Sequence, residues 1–124
     1  LAQFCIPLTL GGDHTLTLEE VEAGASFPDV VGRICHSPQM HISFDVPYRA
    51  LVPCGVENVV VGGRPISVEP RAHETTRLIP QCLVSGQAAG TAAALAARRG
   101  VSPRALDVRD IQAALRGAGV RLGA

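Results

Sequence analysis

Apolar and polar positions change their spacing several times along this 124-residue chain. Near the start, Ile6-Pro7-Leu8-Thr9-Leu10-Gly11-Gly12 reads as a short strand running into a turn. Thr17-Leu18-Glu19-Glu20 is a capping box, in which hydroxyl and carboxylate each take an amide at a helix start. It predicts a short helix over 18–23, stopped by Gly24. Residues 25–41 carry the turn signals Phe27-Pro28-Asp29 and Ser37-Pro38 and read mostly as loop. Ile42-Ser43-Phe44-Asp45-Val46 alternates apolar and polar, which predicts a strand, and Pro47 confines it to an edge or an end. Asn58-Val59-Val60-Val61-Gly62-Gly63 is instead a continuous β-branched run, as expected of a strand buried on both faces in a parallel sheet.

A segment punctuated by Pro65, Pro70 and Pro80 leads to the longest periodic stretch. A helix is expected over 81–99, with Pro80 near its first turn, Arg98 and Arg99 at the negative end of its dipole, and Gly100 just past it. Its side chains are unusually small. Gly86, Gly90, Ala93 and Ala97 recur at spacings of about four, three and four, so they share one side of a helix. The stripe is expected to pack closely on a sheet or beside a flat ligand. Alanine's high helix propensity alone accounts for part of it. A final helix is expected over 108–116, capped by Asp107 and apolar at Val108, Ile111 and Leu115. No internal repeat is present. The alternation of strand and helix signals makes the fold class α/β.

The front of the long helix carries the candidate chemistry. Its first amides have no partner within the helix and carry partial positive charge, so they favour an anion or a developing negative charge. Arg64 and Arg77 precede it, and Cys82 falls in its first turn. Composition narrows the alternatives. The chain has 11 Arg, no Lys and 11 acidic residues, hence no net charge and no basic block. With three Phe, one Tyr and no Trp, it lacks the stacking platforms of a nucleic-acid binder. No uninterrupted apolar run is long enough for a membrane-spanning helix, and residues 1–5 have no basic leader pattern. Four widely spaced cysteines without a CxxC pattern point to reduced thiols and a cytoplasmic setting rather than a disulfide framework.

From about Leu16 to Val120 the chain resembles the C-terminal part of the bacterial FAD-dependent oxidoreductases whose FAD domain is of the glutathione-reductase type. The resemblance is carried by Pro47-Tyr48-Arg49-Ala50-Leu51-Val52-Pro53, by Val61-Gly62-Gly63-Arg64, by Ala72-His73 through Arg77, and by Pro80-Gln81-Cys82 followed by Gly86-Gln87-Ala88-Ala89-Gly90-Thr91. It implies a partial Rossmann-like FAD/NAD(P)-binding domain over 54–124, preceded over 1–53 by the end of a substrate domain and a return strand. It implies FAD as cofactor and a small-molecule substrate. Gly62, Gly63 and Arg64 would pass the ribityl and pyrophosphate part of FAD. Pro80, Gln81, Cys82 and Leu83 would face the pyrimidine edge of the flavin, where the helix dipole eases reduction. His73 and Arg77 would stand on the substrate side, His73 moving a proton and Arg77 holding a polar group. Tyr48 and Arg49 would line the substrate domain. The plainer alternative pairs Arg77 with Glu69 or Glu74 and leaves His73 exposed.

The glycine-rich GxGxxG turn that holds an FAD pyrophosphate is absent from these residues. The chain also begins with Leu1 rather than Met. Both point to a fragment that depends on a GxGxxG portion in cis or in trans, inactive and weak in FAD binding by itself. Two other readings stay open. The chain is a non-catalytic docking module, or a remnant, that completes a sheet with a partner chain. More remotely, Gly11-Gly12-Asp13-His14 resembles a metal motif of the manganese ureohydrolases, with Asp45 as a further ligand. Cys35, His36 and His41 are zinc-type ligands but lack a regular four-ligand spacing.

Overall fold

The computed structural model describes residues 8–35 and 42–122. The capping box forms as the sequence requires. The Glu20 amide donates to Thr17 Oγ1 at 3.2 Å, and the Thr17 amide donates to Glu20 Oε2 at 3.0 Å. These bonds start α1, Leu18–Glu22, which Gly24 ends with a left-handed φ of +64°. The segment expected to be loop contains a strand, β1, Val30–Cys35. It pairs antiparallel with β2, Ser43–Pro47, in a two-stranded sheet. The flanking turns and Gly32 hide β1 locally, and its stability comes from the partner strand and from burial of Val30, Val31 and Ile34. Pro47 is the last residue of β2, as its missing donor dictates. Arg33 stands directly opposite Asp45 in the register.

The run Val59–Val61 does not form the expected strand. Asn58 before it takes a left-handed φ of 57°, and Val59 is 40% exposed. Among the described residues its one backbone bond outside regular elements is the Val61 amide to Leu51 O at 2.8 Å. β-branched sequence alone does not make a strand when no neighbouring strand supplies a ladder. The expected turn near Gly12 is tied down instead by an isolated bridge to Pro53, and Leu16 makes a parallel bridge to Val68. Ile6 and Pro7 of that expected first strand lie outside the described residues.

α2, Ile79–Arg99, starts two residues before the expected position, so Pro80 lies inside its first turn. Gly100 closes it at φ 66°, its amide donating to Ala96 O and Ala97 O. α3, Val108–Gly117, is capped by Asp107, whose carboxylate accepts from the Arg109 amide at 2.9 Å and whose carboxyl is held down to about 2 by the Arg109 side chain. Ile111 and Leu115 bury its apolar face. One hydrophobic core joins all these elements, including Leu16, Phe44, Leu51, Ile66, Ala92 and Leu115. Core residues thus come from both sides of residue 53. Buried Tyr48 crosses the same line, donating to Pro103 O at 2.9 Å, while burial pushes its hydroxyl pKa up to about 12.

The small-residue stripe of α2 is turned the other way from the expectation. Gly86, Gly90, Ala93 and Ala97 are exposed, and the buried line is Gln81, Ser85, Ala88, Ala89, Ala92 and Ala96. Close approach does occur, but at the helix backbone. A Cβ on Gly62 would lie 2.8 Å from Gly86 Cα, 2.9 Å from Ser85 O and 3.0 Å from Ala89 Cβ. A Cβ on Gly32 would lie 2.3 Å from Val84 Cγ1. Glycines on two separate segments therefore let those segments touch α2. A Cβ on Gly86 itself would meet nothing within 4 Å.

Two stability predictions follow from this packing. Gly62→Ala drives a methyl into helix backbone, which cannot yield, and should destabilise by about 1–3 kcal/mol. Gly86→Ala enters open space within a helix and should stabilise by up to ~1 kcal/mol. Urea denaturation of the two variants tests this, and the reverse order would contradict the packing described.

An ion pair fixes the turn after β2. Asp29 accepts three bonds from Arg49, from its amide at 3.1 Å, Nε at 3.0 Å and Nη2 at 3.2 Å. Burial pulls the Asp29 carboxyl upward, but the Arg49 contacts outweigh it and hold the carboxyl below its ordinary value. A depressed carboxylate stabilises the fold above its unfolded pKa, and that contribution disappears as pH falls through the folded value. Because Arg49 is half exposed, Asp29→Asn should cost only about 1 kcal/mol at neutral pH. The variant should also lose less stability than the parent as pH falls below about 4. Denaturation midpoints measured across that range check both statements.

Candidate functional site

The start of α2 has no side-chain cap. Leu78, at the N-cap, is extended with φ −74° and ψ 159°, and the first bond of the helix runs from the Cys82 amide to Leu78 O at 2.9 Å. A leucine cannot accept the amides that Ser, Thr, Asp or Asn would take, so the partial positive charge of a 21-residue helix is left uncompensated by the cap. Around this tip Leu78, Ile79 and Leu83 are exposed, Ile79 at 78%. Polar chemistry at the centre and apolar side chains around it suit a flat, partly polar ring.

The Gly62-Gly63-Arg64 loop is hooked to the helix one turn further on. Ser85 Oγ accepts from the Gly63 amide at 2.9 Å and donates to Gln81 O at 3.1 Å. Gly63 is left-handed, with φ +84° and open space where a Cβ would stand. Beyond it Arg64 and His73, with Leu8 and Pro65, line a cavity of about 310 Å³. His73 is 4% exposed, and its Nε2 is buried without a hydrogen-bond partner among the described residues. The alternative of an exposed histidine is thereby overturned. Arg77 does pair with Glu74, at 2.9 Å, while Glu69 is engaged with the Leu18 amide at 2.8 Å.

A second cavity, of about 210 Å³, opens beside the helix start and is lined by Arg33, Ile34, Cys35, Pro80, Gln81 and Val84. Gln81 is buried, and its Oε1 has no partner among the described residues. Cys82 is half-buried, and its thiol donates to Arg77 O at 3.6 Å. Leu83 is exposed at the tip. The expected site residues thus divide: Arg64 and His73 share one cavity, Pro80 and Gln81 another, and Gly62 and Gly63 join them through the helix. Tyr48 and Arg49 are engaged by Pro103 and Asp29 and belong to the framework. Sequence reasoning missed Ser85 and Arg33. A lone serine in an alanine-rich helix was the available signal for Ser85, and Arg33 lay in a segment read as loop.

The remaining metal-type residues do not assemble. Asp13 is paired with Arg104, which lowers its carboxyl pKa, His14 with Glu20, and Asp45 with Arg33. No group of three or more His, Cys, Asp or Glu side chains comes together among the described residues. His36 and His41 lie outside them. No helix among the described residues is long and apolar enough to cross a membrane.

Ser85 gives the site's sharpest local test. Ser85→Ala leaves the Gly63 amide without its acceptor and should cost about 1–3 kcal/mol. Amide hydrogen exchange at Gly63 should accelerate more than the global loss of stability explains, and unchanged local protection would show that the hydroxyl does not hold the loop.

The family model for FAD dependent oxidoreductase matches residues 9–115. No curated protein and no solved structure matches the chain.

Proposed function

Since this chain belongs to the FAD dependent oxidoreductase family, whose cofactor is FAD, we propose that the start of α2 and the loop hooked to it are the chain's share of a flavin site. The reading is of a glutathione-reductase-type domain of bacterial kind, Rossmann-like over residues 54–124, with 1–53 closing a substrate domain. It makes the chain one portion of an enzyme for a small organic substrate. The fit to FAD rests on this chain's own geometry: an uncapped helix start with exposed apolar Leu78, Ile79 and Leu83 around it. FAD, when bound, supplies the two-electron acceptor of the reaction.

The chain's residues do the rest. Pro80, Gln81, Cys82 and Leu83 form the wall at the pyrimidine edge, where the first-turn amides stabilise negative charge. Gly62 holds its loop against α2, Gly63 turns a Cβ-free backbone to open space beside the ribityl chain, and Arg64 offers its guanidinium toward the pyrophosphate. His73 holds or accepts a proton at Nε2. Arg77, steadied by Glu74, orients a polar group of the substrate. The single observation carrying the catalytic part is that His73 lines the same cavity as Arg64 while its Nε2 is buried without a hydrogen-bond partner among the described residues.

The intact reading frame containing these residues should purify with bound flavin, identifiable as FAD after release. His73→Gln should leave flavin content unchanged and slow flavin reduction by about 10²-fold or more. Protein that reconstitutes with no flavin sinks the reading. Full reduction rates in the His73 variant remove that residue from the chemistry.

A further inference from the structure

The cavity beside the helix start contains a charged group that the flavin reading does not use. Arg33 projects from β1, and its guanidinium is fixed on two sides: Nε donates to Ser43 Oγ at 2.8 Å and Nη1 donates to Asp45 Oδ1 at 2.8 Å. Asp45 is 1% exposed, so this anchor is buried, while Arg33 itself remains about a quarter open at 26%. A guanidinium has five donors in one plane, and two bonds leave part of its fork available for an incoming acceptor. β1 is pressed onto α2 at Gly32 and Val84, which brings Arg33 to the cavity that Gln81 also lines. Gln81 contributes the opposite need: a buried carbonyl oxygen without a donor among the described residues. The remaining walls are apolar, from Ile34, Pro80 and Val84.

We propose that this cavity binds a small carboxylic acid bearing an O–H or N–H group next to the carboxylate, a 2-hydroxy or 2-amino acid. The carboxylate takes the free side of the Arg33 fork, assisted by the positive end of α2. The neighbouring donor satisfies Gln81 Oε1. The size agrees: about 210 Å³ is below the roughly 300–1,000 Å³ of sites for drug-sized ligands. Naming the acid as the substrate rests on the flavin reading above; its binding does not.

Calorimetric titration of the intact protein with 2-hydroxybutyrate, butyrate and 1,2-butanediol separates the contacts. The hydroxy acid should bind tightest, and the diol, lacking the carboxylate, at least ~10-fold more weakly. Arg33→Met should lower affinity for both acids by ~10-fold or more and leave the diol unchanged. Gln81→Met should remove the advantage of 2-hydroxybutyrate over butyrate. Because Arg33→Met strands buried Asp45, the double variant Arg33→Gln/Asp45→Asn, which keeps the cross-strand bond neutral, should show the same loss. Acid affinity unchanged in a folded Arg33 variant, or a diol binding as well as the acids, overturns the site. Flavin content measured on the same samples keeps the two ideas apart: flavin without Arg33-dependent acid binding defeats only this proposal, and acid binding without flavin defeats only the redox reading.

Discussion

Two glycines set the geometry on which everything else depends. Gly62 lets one segment lie against the backbone of α2 at Ser85 and Gly86, and Gly32 lets β1 reach Val84. In each case even a methyl group has no room. The constraint fixes distances between the Gly63 loop, the first turns of α2, and the hairpin that carries Arg33. Ser85 then adds direction to contact, because the hydrogen bond to the Gly63 amide holds the loop in one register along the helix. The alanine content of α2 has the same origin. Ala88, Ala89, Ala92 and Ala96 are the buried line, where larger side chains would push neighbouring segments away.

This explains which parts of the molecule were legible in the sequence. Capping chemistry is local, so the Thr17 box, the Asp107 cap and the Gly100 stop all appear where their residue types demand. Strands are non-local, and two of the misreadings concern them. Val30–Cys35 is a strand because Ser43–Pro47 lies beside it, although Gly32 and nearby prolines argue locally for loop. Residues 59–61 have ideal strand composition and no ladder among the described residues. The stripe on α2 failed for a subtler reason. Helical spacing shows which residues share a face, but a face of glycine and alanine reads the same whether it is buried or bare. Only the neighbours decide, and they chose the Ser85–Ala92 side.

The site shows the same division. The tip of α2, with Pro80 in its first turn, was evident from residue type. That His73 is buried and Arg77 pairs with Glu74 was not, since both alternatives fit the same sequence. Arginines illustrate the difficulty. Arg49, Arg99 and Arg104 are each taken by an acidic partner from another part of the chain and hold segments together. Arg33 also has an acidic partner, yet that partner is fully buried while the guanidinium reaches a cavity. Pairing therefore does not separate a framework charge from a recognition charge. What separates them is where the unused donors of the fork can point.

The uncapped start of α2 is the last element that needs a cause. A Ser or Asp at position 78 would stabilise the helix by about 1 kcal/mol. Leu78 forgoes that gain and, at 41% exposed, gains little from burial in return. Local stability therefore does not account for it. A capping oxygen would, however, occupy the amides and cancel the positive end of the dipole. An FAD-dependent family offers a consistent reason, because a ring that becomes electron-rich on reduction gains from donors that are not already satisfied. On the proposed reading, the destabilised helix end then has its explanation: its amides are left open for negative charge that arrives from outside the chain.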